Sequence, residues 1–280
     1  MAFKTFLGYV RLSRPVNVAI TLIAIPVACW LTGITTDRIA DIVLAALTGA
    51  FVAAGANAIN DYFDIEIDRI NKPNRPLPAG VLSAGQAKKM WLLTSAVGIG
   101  LNLFLNTAAF IIACAAVMAL YFYSSYFKKT VLWGNVLVGV MTGMAFIYGG
   151  AVAGSMRRAV FPALFAFLSN FGREVIKDME DLKGDEAKGA MTFPIRYGIQ
   201  PAGWVVVLTM LLLVLSTTAA ILWKVYSFYF VCIVIPLDIV FLFIAAAIWI
   251  STSERLMHRL STVLKICMML GLLGIIAGSY

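Results

Sequence analysis

Residues 90–127 read MWLLTSAVGIGLNLFLNTAAFIIACAAVMALYFYSSYF, which is 38 positions without a charged side chain. A helix needs roughly 20 apolar residues to cross the hydrocarbon core of a membrane, so this run has the length of two consecutive spans. A soluble domain would interrupt so long a run with charges, because about a quarter of its residues are charged. The stretch therefore predicts a helical membrane protein.

The rest of the chain has a similar composition. Of its 280 residues, 61% are hydrophobic and only 13% are charged. Further apolar runs with at most one charged residue each occupy residues 16–36, 42–61, 130–156, 197–223, 225–253 and 266–280. The uncharged run 159–172 is too short to span alone, so we expect its helix to continue into the charged segment that follows. These runs predict an all-α, multi-pass membrane protein of about nine transmembrane helices, in a single domain over residues 1–280.

Basic residues alternate between successive loops of this predicted topology. The chain has 22 Lys and Arg residues and a formal net charge of +8. Eighteen of the 22 lie in the N-terminal segment and in the loops after the second, fourth, sixth and eighth predicted helices. This positive-inside pattern predicts a cytoplasmic N-terminus and, with nine spans, an external C-terminus. Topology thus accounts for the basic charge, and we expect no nucleic-acid partner.

The 14 acidic residues concentrate in two clusters, the first of which contains Asp61, Asp64 and Asp68. At about 100° of rotation per helical residue, these three side chains share an arc of about 60°. Asn60 lies at the edge of that arc, and Glu66 points to the opposite face. The spacing predicts one helix with an acidic stripe about two turns long. We call Asp61, Asp64 and Asp68 the first stripe.

The second cluster repeats this phase. Asp178, Asp181 and Asp185 follow the three residues of the first stripe at a constant offset of 117 positions, and we call them the second stripe. A solvated acidic loop has no reason to repeat a helical phase. The repeat predicts two similar halves, near residues 1–140 and 141–280, each with a membrane helix that ends in an acidic stripe at the cytoplasmic rim.

The stripes indicate a divalent metal ion. Like charges on one helix face repel each other, and a divalent cation relieves that repulsion. Oxygen ligands favour Mg²⁺ or Ca²⁺, and Mg²⁺ typically uses one or two carboxylates together with substrate phosphates. We therefore expect the stripes to hold Mg²⁺ ions that a diphosphate bridges. Cations suited to phosphate flank both stripes: Arg69, Lys72, Arg75, Lys128, Lys129, Arg173, Lys177 and Lys183.

Two long blocks of the sequence resemble the UbiA superfamily of intramembrane prenyltransferases. The first is NAINDYFDIEIDRINKPNRPLPAG at residues 57–80, and the second is GREVIKDMEDLKGDEAKGAMTFPIRYG at residues 172–198. RLSRPVN at residues 11–17 and YSSYFKK at residues 123–129 resemble shorter flanking blocks. The resemblance covers the whole chain. It implies nine transmembrane helices around a central cavity, dependence on Mg²⁺, and cytoplasmic loops over the mouth of the cavity.

Both blocks are most similar to the branch of this superfamily that transfers a geranylgeranyl group. Its donor is geranylgeranyl diphosphate, and its acceptor is the free hydroxyl of the membrane lipid 3-O-geranylgeranylglyceryl 1-phosphate. The resemblance implies metal binding by Asn60, Asp61, Asp64, Asp68, Asp178, Asp181 and Asp185. It implies catalytic roles for Asp64, Asp68, Asp181, Asp185 and Lys128. Expected substrate-binding residues are Asn60, Arg75, Arg11, Asn17, Arg173 and Lys177.

Three alternatives fit part of the pattern. An enzyme of the same superfamily that prenylates an aromatic ring, in quinone, haem or chlorophyll synthesis, would share both stripes and differ only in its acceptor pocket. A CDP-alcohol phosphotransferase needs a DG and an AR between its aspartates, which this sequence lacks after Asp64. A cation transporter would hold its carboxylates near the bilayer midplane. Here the stripes are expected at helix ends beside basic loops, which favours a substrate site at the rim.

Overall fold

The computed structural model describes residues 2–187 and 190–279, and these residues are almost entirely helical. They form thirteen α-helices and three short 3-10 turns, with no strand among them. The first six helices are α1 (Ala2–Ser13), α2 (Pro15–Leu31), α3 (Ile39–Phe63), α4 (Ile65–Asn71), α5 (Ala84–Leu101) and α6 (Thr107–Ser125). The others are α7 (Trp133–Ala153), α8 (Met156–Glu180), α9 (Leu182–Ala187), α10 (Phe193–Tyr197), α11 (Ile199–Leu222), α12 (Phe228–Ile250) and α13 (Glu254–Gly278). The all-α prediction is confirmed.

Seven of the described helices are long and apolar enough to cross a membrane, namely α3, α6, α7, α8, α11, α12 and α13. The pair α1 and α2, bent by 50°, would make an eighth span. The helix α8 runs 25 residues, which confirms that the uncharged run 159–172 continues into the charged segment. The count of nine is not confirmed. The helix α5 stands in the place of the third predicted span, but Lys88 and Lys89 shorten its apolar part, and it is not among the seven.

Two compact units divide the chain, and they interleave within α7. The first unit consists of Met1–Tyr126 and Ala145–Arg157, and the second of Phe127–Met144 and Arg158–Tyr280. The beginning of α7 therefore belongs to the second unit and its end to the first. A single domain with two similar halves stays a prediction.

In the first unit, α5 runs antiparallel along α3. Near the beginning of α5, Ala87 is buried in one cluster with Ala58 and Leu82. Just beyond its end, the side-chain amide of Asn102 donates a hydrogen bond to Thr48 Oγ1 at 3.2 Å. The residues of α3 that α5 meets are thus about ten positions apart, or about 15 Å along the helix axis. The helix α5 therefore covers the half of α3 that leads to the first stripe.

The end of α7 completes the core of the first unit. Tyr148 and Val152 are buried in one cluster with Ile25 and Cys29 of α2. Arg38 Nη2 donates a hydrogen bond to the carbonyl oxygen of Val152 at 2.9 Å. This bond satisfies a backbone carbonyl near the C-terminal end of a helix, where intrahelical partners are lacking.

Two glycines of α7 permit close helix packing. In the first unit, a Cβ atom on Gly149 would lie 2.6 Å from the carbonyl carbon of Ala28 in α2. In the second unit, a Cβ atom on Gly143 would lie 2.7 Å from the carbonyl oxygen of Ala163 in α8. Both neighbours are backbone atoms that cannot rotate away. Small residues at membrane helix interfaces allow such approach, so any larger side chain would separate these helices.

Asp238 is an acidic residue inside α12 of the second unit. The hydroxyl of Thr217 in α11 lies 2.8 Å from Asp238 Oδ1 and 3.0 Å from Oδ2. An ionisable group within a membrane-spanning helix is costly unless it is paired. Thr217 supplies that partner, and the contact links α11 to α12.

Candidate functional site

The first stripe crosses the junction between α3 and α4. Asp61 lies in the last turn of α3, Asp64 occupies the one-residue break with φ −94° and ψ 2°, and Asp68 lies in α4. The prediction of one unbroken helix is wrong here, because α3 ends at Phe63 and α4 begins at Ile65, on either side of Asp64. The N–H groups of Asp64 and Asp68 still donate to the carbonyl oxygens four residues earlier, at 3.0 and 2.8 Å. All three aspartates are therefore kept in phase, and all three are buried.

Two arginines lie against the buried carboxylates of this stripe. Arg75, from the loop after α4, donates from Nη1 to Asp61 Oδ1 at 3.1 Å and also to Asp68 Oδ2. Arg14, between α1 and α2, donates from Nη2 to the same oxygen of Asp61. A buried carboxylate is costly unless it is paired and hydrogen-bonded. Arg75 thus joins Asp61 to Asp68 across the helix break, and Arg14 adds a second cation at Asp61.

The backbone of Arg14 has a conformation that is unusual for a residue other than glycine. Its φ of 51° and ψ of 76° are left-handed, which costs roughly 1–2 kcal/mol. Pro15 follows and disfavours the right-handed helical region for the residue before it. This turn separates α1 from α2 and directs the Arg14 side chain to Asp61. Arg11, one turn earlier in α1, is exposed.

Three amides lie at the start of α2 and in the last turns of α3. Asn60 Nδ2 lies 3.1 Å from Asp64 Oδ2, so Asn60 is placed with the expected ligands. Asn17 Nδ2 donates to Asn57 Oδ1 at 3.4 Å, and Asn57 Nδ2 donates to the carbonyl oxygen of Ser13 at 2.8 Å. Asn17 therefore links the start of α2 to α3 through Asn57.

The second stripe has the same architecture within the second unit. Asp178 lies in α8, Asp181 occupies the break, and Asp185 lies in α9. The N–H of Asp181 donates to the carbonyl oxygen of Lys177 at 2.8 Å, and that of Asp185 donates to Asp181 at 2.9 Å. The offset of 117 also carries the end of α3 onto the end of α8, and the beginning of α4 onto that of α9. The repeat thus extends from the acidic residues to the helix breaks.

A residue that the sequence pattern did not predict as functional lies against the second stripe. Asn135, in the first turn of α7, donates from Nδ2 to Asp178 Oδ2 at 2.7 Å. Two signals pointed to this turn. Asn135 is a polar residue in the uncharged run 130–156, and the offset of 117 carries Asn17 onto the neighbouring Gly134.

The expected cations of the second unit differ in their surroundings. Arg173 Nη1 pairs with Glu174 Oε1 at 2.8 Å, and the buried Arg173 Nε has no hydrogen-bond partner among the described residues. Lys177 is half-buried in the last turn of α8. Lys128 is exposed in the 3-10 turn that precedes α7. Arg173 therefore has a buried donor that the described contacts leave unused.

Two glutamates of the acidic blocks have partners of their own. Glu66 forms an exposed pair with Arg69 at 2.9 Å. Glu180 Oε1 lies 2.6 Å from Nδ1 of His258 in α13. Both glutamates thus contact groups outside the stripes.

The donor atoms at both junctions fit Mg²⁺. The side chains of the stripes offer only oxygen ligands, from carboxylates and from the amide of Asn60. Within residues 2–187 and 190–279, no three His, Cys, Asp or Glu side chains already converge as a metal site. A preformed cage is not what Mg²⁺ requires, since it usually keeps several waters and binds through one or two carboxylates plus substrate phosphates. The residues present are therefore suited to an ion whose coordination a diphosphate completes.

Comparison with known proteins agrees with this chemistry. Residues 15–271 match the model of the UbiA prenyltransferase family. The chain is 37% identical over 270 residues to the digeranylgeranylglyceryl phosphate synthase of Methanopyrus kandleri, covering 96% of this chain and 98% of that one. A solved structure of a digeranylgeranylglyceryl phosphate synthase superposes with a TM-score of 0.91 at 32% identity, over 98% of both chains. A UbiA homolog from Archaeoglobus fulgidus bound to GPP and Mg²⁺ shares the fold, with a TM-score of 0.65 at 19% identity over 96% of this chain and 99% of that one.

Proposed function

The chain belongs to the UbiA prenyltransferase family, and from this premise we propose that it makes the second ether bond of a digeranylgeranylglyceryl phosphate. It is a multi-pass membrane enzyme. It transfers the geranylgeranyl group of geranylgeranyl diphosphate to the free hydroxyl of 3-O-geranylgeranylglyceryl 1-phosphate. The observation that carries this acceptor is the nearly full-length similarity to the Methanopyrus kandleri synthase.

We assign Mg²⁺ to the carboxylates of both stripes. The ligands would be Asp61, Asp64, Asp68, Asp178, Asp181 and Asp185, with Asn60. When bound, Mg²⁺ supplies positive charge that stabilises the diphosphate as a leaving group. The oxygen-only donor set supports this assignment, as does the Mg²⁺ in the Archaeoglobus fulgidus homolog.

The basic residues would bind and orient the two phosphate-bearing substrates. Arg75 is fixed by two carboxylates, so its remaining N–H groups have a defined direction in which to meet a phosphate oxygen. Lys128 and Lys177 would add point charges near the second stripe. Arg173, with its unused Nε donor, suits the phosphate head of the acceptor. Arg11 and Asn17 remain proposed contacts of the same head.

The reaction exchanges one carbon–oxygen bond for another. As the bond between C1 of the prenyl group and the diphosphate oxygen breaks, positive charge develops on the allylic carbon. Preorganised cations that stabilise the leaving group act most strongly where water is excluded. The acceptor hydroxyl attacks C1, becomes the ether oxygen and loses its proton to a base or to the released diphosphate.

A direct competition tests the choice of acceptor. Purified protein in nanodiscs, with geranylgeranyl diphosphate and Mg²⁺, should convert 3-O-geranylgeranylglyceryl 1-phosphate to a diether that mass spectrometry identifies. 4-Hydroxybenzoate and a naphthoate at equal concentration should give no prenylated product. Transfer to an aromatic ring and none to the glyceryl phosphate would refute this acceptor and leave the metal chemistry intact.

We further propose that the N-terminus and the mouth of the active site face the cytoplasm and that the C-terminus is external. The ground is the 18-to-4 division of Lys and Arg between alternate loops. Reporter fusions after residues 82 and 129 should read cytoplasmic, and a C-terminal fusion should read external. A cytoplasmic C-terminus would mean that one of the nine predicted helices does not cross the membrane.

A further inference from the structure

The helix α1 carries an exposed apolar stripe. Phe3, Phe6, Leu7 and Val10 follow the i, i+3, i+4, i+7 spacing of a single helix face. Their exposed fractions are 74%, 62%, 38% and 37%. At about 100° per residue, the four side chains share an arc of about 100°. Contiguous exposed apolar surface of this kind marks a site of interaction.

The opposite face of α1 is already packed within the first unit. A Cβ atom on Gly8 would lie 2.9 Å from Val81 Cγ1, so α1 lies directly on the loop before α5. Leu12 is fully buried in one cluster with Leu77 and Leu82 of that loop. The apolar stripe is therefore a second face, which the packing of this unit does not use.

Two cations lie between these faces. Lys4 and Arg11 are exposed, and around the helix axis they lie about 40–60° beyond Leu7, which is the edge of the stripe. Proceeding around the helix, apolar side chains come first, then the cations, then the packed face around Gly8. A basic amphipathic helix with this order is typical of membrane surfaces, where the apolar face enters the acyl boundary and the cations meet anionic headgroups.

The stripe also adjoins a helix that faces lipid. The helix α2 exposes Val16, Ile20 and Ile23 by 71%, 60% and 67%, again on one face, and α1 bends from it by 50°. We propose that α1 does not extend the span of α2 but is an interfacial anchor, whose stripe lies among acyl chains while Lys4 binds the phosphates of anionic membrane lipids. The occupant of this face is thus the lipid surface itself.

Spin-label accessibility tests the proposal on the full-length protein. Phe6→Cys, Val10→Cys and Lys4→Cys are made singly in a background in which the four native cysteines are alanine (Cys29, Cys114, Cys232 and Cys267). The nitroxide-labelled proteins are placed in nanodiscs of phosphatidylcholine and phosphatidylglycerol. Oxygen, which partitions into the bilayer, should broaden the labels at Phe6→Cys and Val10→Cys more than a water-soluble nickel chelate does. Their depth should be about 5–10 Å, and Lys4→Cys should show the reverse preference.

Each other outcome overturns the proposal. Nickel accessibility at Phe6→Cys equal to that at Lys4→Cys would place the stripe in water. Low accessibility to both reagents, with dipolar broadening between labelled copies, would show that a second copy covers it. In nanodiscs of phosphatidylcholine alone, the Phe6→Cys label should lie less deeply. An unchanged depth would contradict the role of Lys4. If Phe6→Cys does not fold, Val10→Cys gives the same comparison.

Discussion

The two acidic stripes share their spacing and their helix break, but their neighbours differ. In the first stripe all three carboxylates are buried, and Asp61 and Asp68 pair with the guanidiniums of Arg14 and Arg75. In the second, Asp178 is half-buried and receives a hydrogen bond from the neutral Asn135, while Asp181 is exposed. The same aspartate spacing thus occurs in two surroundings, one with paired cations and one with a neutral amide.

This difference shows that two properties of a metal-binding motif, the position of its ligands and the compensation of their charge, have separate origins. The spacing of the aspartates fixes where oxygen ligands lie, whereas the neighbouring helices decide how the negative charge is offset. Buried carboxylates need paired cations, which the protein itself provides in the first stripe. We therefore expect the first stripe to keep its geometry without Mg²⁺, and the geometry of the second to depend more on the ion.

Removal of the central carboxylate should have the largest effect in both stripes. Asp64→Ala and Asp181→Ala should each lower kcat at least ~1,000-fold, because each removes a ligand from a cluster that acts as a unit. The double variant should lose little more than either single variant. Single-turnover transfer from geranylgeranyl diphosphate measures the effect, and thermal unfolding verifies the fold. Full activity in Asp64→Ala alone would confine the chemistry to the second stripe.

Arg75→Ala tests the charge balance of the first stripe. The substitution leaves Asp61 and Asp68 buried with less positive charge beside them. Breaking a fully buried pair costs about 3–5 kcal/mol, and since Arg75 is partly exposed we expect a loss of about 2 kcal/mol of unfolding free energy. Mg²⁺ should restore part of this loss. Arg69→Ala is the matched control, since Arg69 pairs with the exposed Glu66. Equal destabilisation by both variants in a denaturant titration would contradict the proposed balance.

Asn135→Ala tests the second stripe. Residues that orient a metal ligand typically contribute 10–100-fold in metal affinity, so the Mg²⁺ concentration for half-maximal activity should rise about 10-fold. Asn170→Ala is the control, because Asn170 links the same two helices through a 3.0 Å bond to Thr142. Its Mg²⁺ dependence should be unchanged. A similar rise in both variants would mean that Asn135 acts only through helix packing.

The smallest effects are expected beside the stripes. Glu66→Ala removes an exposed ion pair, and Glu180→Ala removes the contact with His258. Exposed pairs contribute at most about 1 kcal/mol, and the described contacts of both side chains are to groups outside the stripes, so turnover should change less than about 2-fold. Steady-state rates of both variants beside Asp181→Ala provide the test. Losses as large as that of Asp181→Ala would invalidate the assignment of ligands by helical phase.

The sequence predicted the features that are encoded by local spacing. The phase of both stripes and the extension of α8 follow from helical periodicity and from the length of apolar runs. The partners could not be predicted in this way, because Arg14 lies 47 residues from Asp61 and Asn135 lies 43 residues from Asp178. Periodicity places a side chain on a face of its own helix and does not tell which other helix meets that face. The helix breaks were missed for a related reason, since the carboxylates keep their phase across them.

The shared helix α7 has a consequence for the order in which the protein is made. Residues 145–157 leave the ribosome after residues 127–144, yet they belong to the first unit, whereas the earlier residues belong to the second. Until Tyr148 and Val152 are synthesised, the core cluster of the first unit lacks two of its buried members. The first unit therefore stays incomplete after synthesis of the second unit has begun. A pause in translation before residue 145 would leave both units incomplete in the membrane at the same time.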